Sequence, residues 1–111
     1  PILVVKNDGT RQAFDVGKVK RGIIKACEKR PVPIEKIDAV AEDIAKRIYN
    51  SMEQEISSKK IGEMVMEELQ KIDEVAYVRY ATVYRSFKDI SSFMSELQKM
   101  IEKKNEETKD K

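Results

Sequence analysis

The 111-residue sequence contains no histidine and a single cysteine. Without histidine it lacks the usual general base near neutral pH and the commonest transition-metal ligand. One cysteine makes neither an internal disulfide nor a structural zinc site. Cys27 stands in helical register with Ile23 and Ile24 and reads as a small buried hydrophobe, not a reactive thiol. The four glycines, Gly9, Gly17, Gly22 and Gly62, are scattered, so no phosphate loop of the P-loop or Rossmann type is present. The longest apolar run, Ile2 to Val5, is far short of the roughly 20 residues of a membrane span and is no signal peptide core. Carboxylates are plentiful, but pairs such as Glu67 and Glu68 sit on helices patterned for solvent, as solvated faces and not as acid and base. Hydrolase or transferase activity has no support, and the chain is not expected to be an enzyme.

What is present suits one soluble, helix-rich, cytoplasmic domain. Apolar residues make up 41% and charged residues 38% of the chain, enough for a modest core and too apolar for disorder. The net charge is only +2, but residues 1–30 carry eight Lys/Arg against three acids. That bias suits a phosphate-bearing ligand. It is too small for duplex DNA binding by this chain alone.

Two short, partly β-branched segments, Ile2 to Lys6 and Arg11 to Phe14, flank Asn7-Asp8-Gly9, a strong hairpin signal. Asp15 can cap a helix whose buried stripe is Val16, Val19, Ile23 and Cys27 and which should end near Lys29. Pro31 and Pro33 then punctuate the chain. A second helix carries Ile37, Val40, Ala41, Ile44 and Ile48 on one face. A very short third strand is expected around Glu55 to Ser57. Ser57 or Ser58 caps a third helix with Ile61, Met64, Val65 and Leu69 inward. Asp73 starts a fourth, running to about Phe87, and Asp89 a fifth. In the fifth, Ile90, Phe93, Met94, Leu97 and Ile101 form the cleanest amphipathic stripe in the chain. From Glu102 to Lys111 no apolar residue occurs, so a folded domain over residues 1–101 and a charged flexible tail over 102–111 are expected. The expected class is α+β, two or three strands followed by helices.

Lys6, Asn7, Asp15, Lys18 and a helix start fall within one short stretch. Phosphate oxygens want cations and free backbone amides, and a helix N-terminus beside lysines offers both. Val4 and Val19 are near enough to cover a base. The residues alone leave a plainer reading open, in which Lys6 and Lys18 are surface lysines and Asp15 is only a cap.

The segment VVKNDGTRQAFDVGKV resembles the opening of an ATP-cone, the regulatory nucleotide-binding domain found in many ribonucleotide reductases and in the transcriptional repressor family NrdR. ACEKRPV, EISSKKIGEMVMEEL and above all KIDEVAYVRYATVYRSFKDI are similar to the repressor family's version in order and spacing. The resemblance runs from about Val4 to Leu97. It implies a small two- to three-stranded sheet over a four-helix bundle, here with a C-terminal amphipathic helix added, and a nucleotide beneath the hairpin. By position it implies that Val4, Lys6 and Asn7 line the nucleotide. Gln12 and Asp15 would lie near base or ribose, and Lys18 and Val19 would face phosphates or base. Ser58, Tyr84 and Lys88 would close the far side.

Two residues depart from the family pattern: Asn7 stands where arginine is common, and Gln12 where glutamate is common. The first exchange weakens phosphate affinity and the second changes hydrogen-bond complementarity. The four-cysteine zinc ribbon with which the repressors begin is also missing, so zinc and DNA contacts belong to the family's ribbon and not to this chain.

The resemblance implies an ATP or dATP sensor in a repressor of ribonucleotide reductase genes, in which the nucleotide sets the oligomer formed. Magnesium as companion of the phosphates is left open. The fifth helix is the candidate contact surface of a homo-oligomer, or equally it folds back to complete the monomer core; on the preceding helix Tyr77, Tyr80, Tyr84 and Arg79 or Arg85 are candidate anchors, or equally core residues with polar tips. Two other readings are a detached allosteric cone of a reductase and a helical protein-interaction module without nucleotide. No membrane partner is expected.

Overall fold

The computed structural model describes residues 1–85 and 87–109, the last two by their backbone alone. The chain forms β1 (Leu3–Val5), β2 (Arg11–Ala13), α1 (Val16–Ala26), α2 (Ile34–Asn50), β3 (Glu55–Ser57), α3 (Ser58–Ile72), α4 (Glu74–Tyr84) and α5 (Ile90–Lys109). This is the expected α+β order, with the third strand at the expected residues. The elements fall into two compact units, Pro1–Tyr80 and Ala81–Lys111.

In the first unit the hairpin turns at Gly9, whose φ of 87° lies in the left-handed region that glycine enters without a Cβ penalty. The Gly9 amide donates to the Lys6 carbonyl at 2.9 Å. The amide and hydroxyl of Thr10 donate to Asp8 Oδ1 at 2.9 and 2.7 Å. The Thr10 hydroxyl and then its amide hold the Asp8 carboxyl below its ordinary range.

β1 is the central strand of the order β2-β1-β3, antiparallel to β2 and parallel to β3. Val4 pairs with Gln12 on one side and Ile56 on the other. Directly paired residues point the same way and neighbours along a strand alternate, so Val4, Gln12 and Ile56 share one face. Arg11 and Glu55 share the other, where Arg11 Nε lies 2.7 Å from Glu55 Oε1, an ion pair bridging over β1.

The core beneath is helical. The α2 stripe read from the sequence, Ile37, Val40, Ala41, Ile44 and Ile48, is buried in full, and Ile23, Val65 and Leu69 from α1 and α3 are completely enclosed. Each such side chain stabilises by about 1.5–3 kcal/mol. Cys27 is buried as expected, and loss of solvent, first, and then the Asp73 charge push its thiol pKa up. Lys20 of α1 and Asp38 of α2 form an ion pair between the two helices.

α1 stops at Ala26 instead of continuing to Lys29. The Cys27 amide closes the last turn on the Ile23 and Ile24 carbonyls, and Lys29 takes a left-handed φ of 61° that a helix cannot continue through. α3 and α4 meet at Asp73. Its amide bonds the Leu69 carbonyl, and its Oδ1 accepts the Ala76 amide at 2.9 Å, capping α4. Arg30 Nε sits 3.0 Å from each Asp73 carboxylate oxygen. Burial alone would raise the Asp73 pKa, but the Ala76 amide and the Arg30 guanidinium outweigh it, and the carboxyl stands below its ordinary range. Arg79 of α4 donates to the Ala26 and Glu28 carbonyls at 3.2 and 2.6 Å, satisfying the C-terminal end of α1.

In the second unit α4 closes at Tyr84, short of Phe87, and Asp89 Oδ1 accepts the Ser92 amide at 2.8 Å where α5 begins. Phe87 packs edge-on against Phe93, ring centres 5.3 Å apart, and Arg85 pairs with Glu96 at 2.9 Å. α5 is helical to Lys109, through most of the stretch expected to be a tail; Lys and Glu are good helix formers and pair across successive turns. Residues 110 and 111 lie outside the described residues. Ile90, Met94 and Ile101 of the amphipathic stripe are exposed, while Phe93 and Leu97 are half-buried.

Candidate functional site

The junction between the hairpin and α1 is built from local signals. β2 ends at Ala13, Phe14 turns inward and packs edge-on against Tyr49 of α2 with ring centres 5.7 Å apart, and Asp15 becomes the N-cap of α1. The Asp15 carboxylate accepts the Gly17 amide at 2.8 Å. The first turn of α1 contains no acidic residue, so its partial positive charge meets no carboxylate from within that turn. One position into the second half of that turn stands Lys18, whose Nζ donates to Gln12 Oε1 at 3.1 Å. This contact shows that the face of the sheet carrying Val4, Gln12 and Ile56 is the one turned toward α1.

The predicted residues of the first unit fall into three groups. Val4 and Gln12 are cross-strand partners at the middle of that face. Asp15, Lys18 and Val19 stand at the start of α1, where Val19 is half-buried and Lys18 exposed. Lys6, Asn7 and Ser58 gather at the far end of the sheet. Lys6 and Asn7 follow β1 into the turn, and because β3 runs parallel to β1, the Val5–Ser57 pair places Ser58, the first residue of α3, at the same end. Ser57, not Ser58, caps α3, its hydroxyl accepting the Lys60 amide at 3.0 Å. A three-residue strand spans only about 10 Å, so cations at both ends of this face lie within the reach of one extended anionic ligand.

Tyr84 and Lys88 belong to the second unit. Tyr84 is the last residue of α4 and half-buried, and Lys88 is exposed in the turn before α5.

The residue missed in reading the sequence is Arg21, one helical turn after Lys18. Its guanidinium reaches back over Gly17, so close that a Cβ there would lie 3.2 Å from Arg21 Nη1. The signal was the Lys18–Arg21 spacing of three, which puts both cations on one strip of α1. A separate groove along α2, lined by Ala39, Glu42, Asp43, Ala45, Lys46 and Tyr49, includes none of these residues. Its two carboxylates against one lysine suit no anion.

A helix N-terminus, cations on both sides and an apolar strip through Val4, Ile56 and Val19 together make a surface that can hold a phosphate ester of a flat, partly apolar group. Comparison with known proteins points the same way. Residues 2–90 match the family model described as the ATP cone domain. The whole chain is 59% identical to the transcriptional repressor NrdR of Thermoanaerobacter pseudethanolicus, spanning 70% of that protein. Over 106 residues, 96% of this chain and 69% of the relative, it is 58% identical to the NrdR repressor of Caldicellulosiruptor bescii. The NrdR repressor of Alkaliphilus metalliredigens is 53% identical over 107 residues, again 96% of this chain and 69% of the relative.

Proposed function

Because this chain belongs to the ATP-cone family of NrdR transcriptional repressors, we propose that it works as the adenine-nucleotide sensor of such a repressor, acting on ribonucleotide reductase genes. The observation that carries this reading is the Lys18–Gln12 contact at the start of α1. It puts a cation at the start of α1 against the sheet face on which a base can lie.

Phosphates are held by Lys6 and Lys18; the base or ribose lies against Val4, Gln12 and Val19. Asn7, Asp15 and Ser58 complete the surround. ATP and dATP are the effectors. The chain binds and signals without catalysing a reaction, in the cytoplasm and away from membranes. No described helix is long and apolar enough to cross one.

Signalling runs through assembly. Ile90, Met94 and Ile101 lie on one face of α5 and are exposed, an apolar surface of the kind that copies of a chain bury against one another. Nucleotide shifts the balance of homo-oligomers only by its difference in affinity between them. DNA is engaged by a zinc ribbon outside this sequence, in keeping with the net charge of +2. Calorimetric titration with ATP and with dATP, with light scattering for molar mass, tests this. Saturable binding with a nucleotide-dependent mass is the expected result; absence of binding to either nucleotide overturns it.

A further inference from the structure

We propose that Arg21 is a second phosphate ligand, which with Lys18 makes a two-cation clamp selective for polyphosphates, and that Gly17 is the space the clamp requires. This rests on the nucleotide reading of the same site.

The first argument is how the arginines are used. Arg11, Arg30, Arg47 and Arg85 each have a carboxylate oxygen at 2.7, 3.0, 3.2 and 2.9 Å, and Arg79 closes on two backbone carbonyls. Arg21 differs. Its nearest carboxylate oxygen, Asp15 Oδ2, is 3.8 Å away, and both side chains are more than half exposed. A pair so long and so wet contributes little, and Asp15 is already occupied through Oδ1 with the Gly17 amide.

The second argument is where this loosely held cation lies. Helical side chains lean toward the N-terminus, so Arg21 covers the preceding turn, at residue 17. A helix N-terminus repels a cation, and the one carboxylate at this end, the Asp15 cap, is bonded to the Gly17 amide through Oδ1 and lies 3.8 Å from the guanidinium through Oδ2. Lys18 and Arg21 thus set two cations against the single Asp15 carboxylate at this helix start, an excess of positive charge that a bound anion would balance. A guanidinium grips two oxygens of a phosphate at once, where an ammonium acts as a point charge. A single phosphate can occupy one of the two cations; a polyphosphate spans both.

The third argument is Gly17. A Cβ there would meet Asp15 Oδ1 at 3.0 Å and Arg21 Nη1 at 3.2 Å, both tighter than ordinary contact. Glycine lets the guanidinium lie flat against the first turn; alanine pushes it off.

The test is calorimetric titration of the chain and its Arg21→Gln, Arg21→Lys and Gly17→Ala variants with ATP and with AMP, with thermal unfolding as the check on folding. In Arg21→Gln the preference for ATP over AMP should shrink roughly ten- to hundredfold, the span of one charge-assisted hydrogen-bonded contact. Arg21→Lys should keep part of that preference, and Gly17→Ala should lose part of it with every charge still present. An unchanged ATP affinity in Arg21→Gln, or an equal loss for ATP and AMP, overturns the clamp while leaving the site standing. If the unaltered chain binds neither nucleotide, the site itself falls, and the clamp with it.

Discussion

Lys18 Nζ and Gln12 Oε1, 3.1 Å apart, tie the first helix to the second strand through two exposed side chains. The fold does not depend on so exposed a bond, but the proposed site does. Lys18→Ala should leave the melting temperature nearly unchanged and weaken ATP binding by about 1.5–3 kcal/mol, the worth of a hydrogen bond to a charged group. Gln12→Ala frees the lysine without removing its charge and should cost less. Titration of both variants checks this, and an unaltered ATP affinity in Lys18→Ala would remove the lysine from the site.

Asn7 lies exposed in the hairpin turn, at the far end of the same sheet face. Asn7→Arg adds a cation there and, by the charge argument, should tighten ATP binding by about 1 kcal/mol. The gain should be larger at low salt, because exposed charges are screened. Titrations at two ionic strengths distinguish this from a change in packing.

Asp73 joins α3 to α4 and holds Arg30. Its carboxyl pKa is lowered in the folded chain, so its stabilisation is complete above the unfolded value of about 3.9 and is lost as pH falls through the lower folded value. Asp73→Asn should cost about 1.5–3 kcal/mol at neutral pH and flatten the loss of stability below about pH 4. Melting temperatures across that range measure both effects.

Gly22 sits inside α1 facing the ring of Tyr80, which a Cβ would meet at 3.6 Å, an ordinary contact. Gly22→Ala should therefore stabilise by about 0.5–1 kcal/mol through the helix entropy that glycine forfeits. Gly22→Leu must displace the ring and should destabilise by about 1–3 kcal/mol. Urea unfolding gives both signs in one experiment.

Much of this was legible in the sequence because the signals were local. Asp8-Gly9 announced the hairpin, Asp15 and Asp89 capped the helices they precede, and the α2 stripe was buried position for position. Helix ends were less legible: α1 stops at Ala26 because Lys29 adopts a left-handed backbone that no propensity demands of lysine. α5 continues where apolar residues run out, since charged residues sustain a helix without burying it. In the site, Lys18 and Gln12 were named separately, but their contact needs the hairpin to fold over α1. Arg21 was hidden because its meaning depends on the empty space at Gly17 and on the carboxylates that the other arginines hold, and neither is written at position 21.

The place of β1 between its two neighbours sets an order of assembly in time. β1 and β2 are joined by a tight turn and can meet within about 1–10 μs. Val4 finds Ile56 only after the chain of α1 and α2 has been closed into a loop, an entropic cost incurred before any parallel bond returns it. On a chain emerging from the ribosome, β1 therefore waits with one edge open until Glu55–Ser57 arrives. The end of the sheet that carries Lys6 and Ser58 is completed only then.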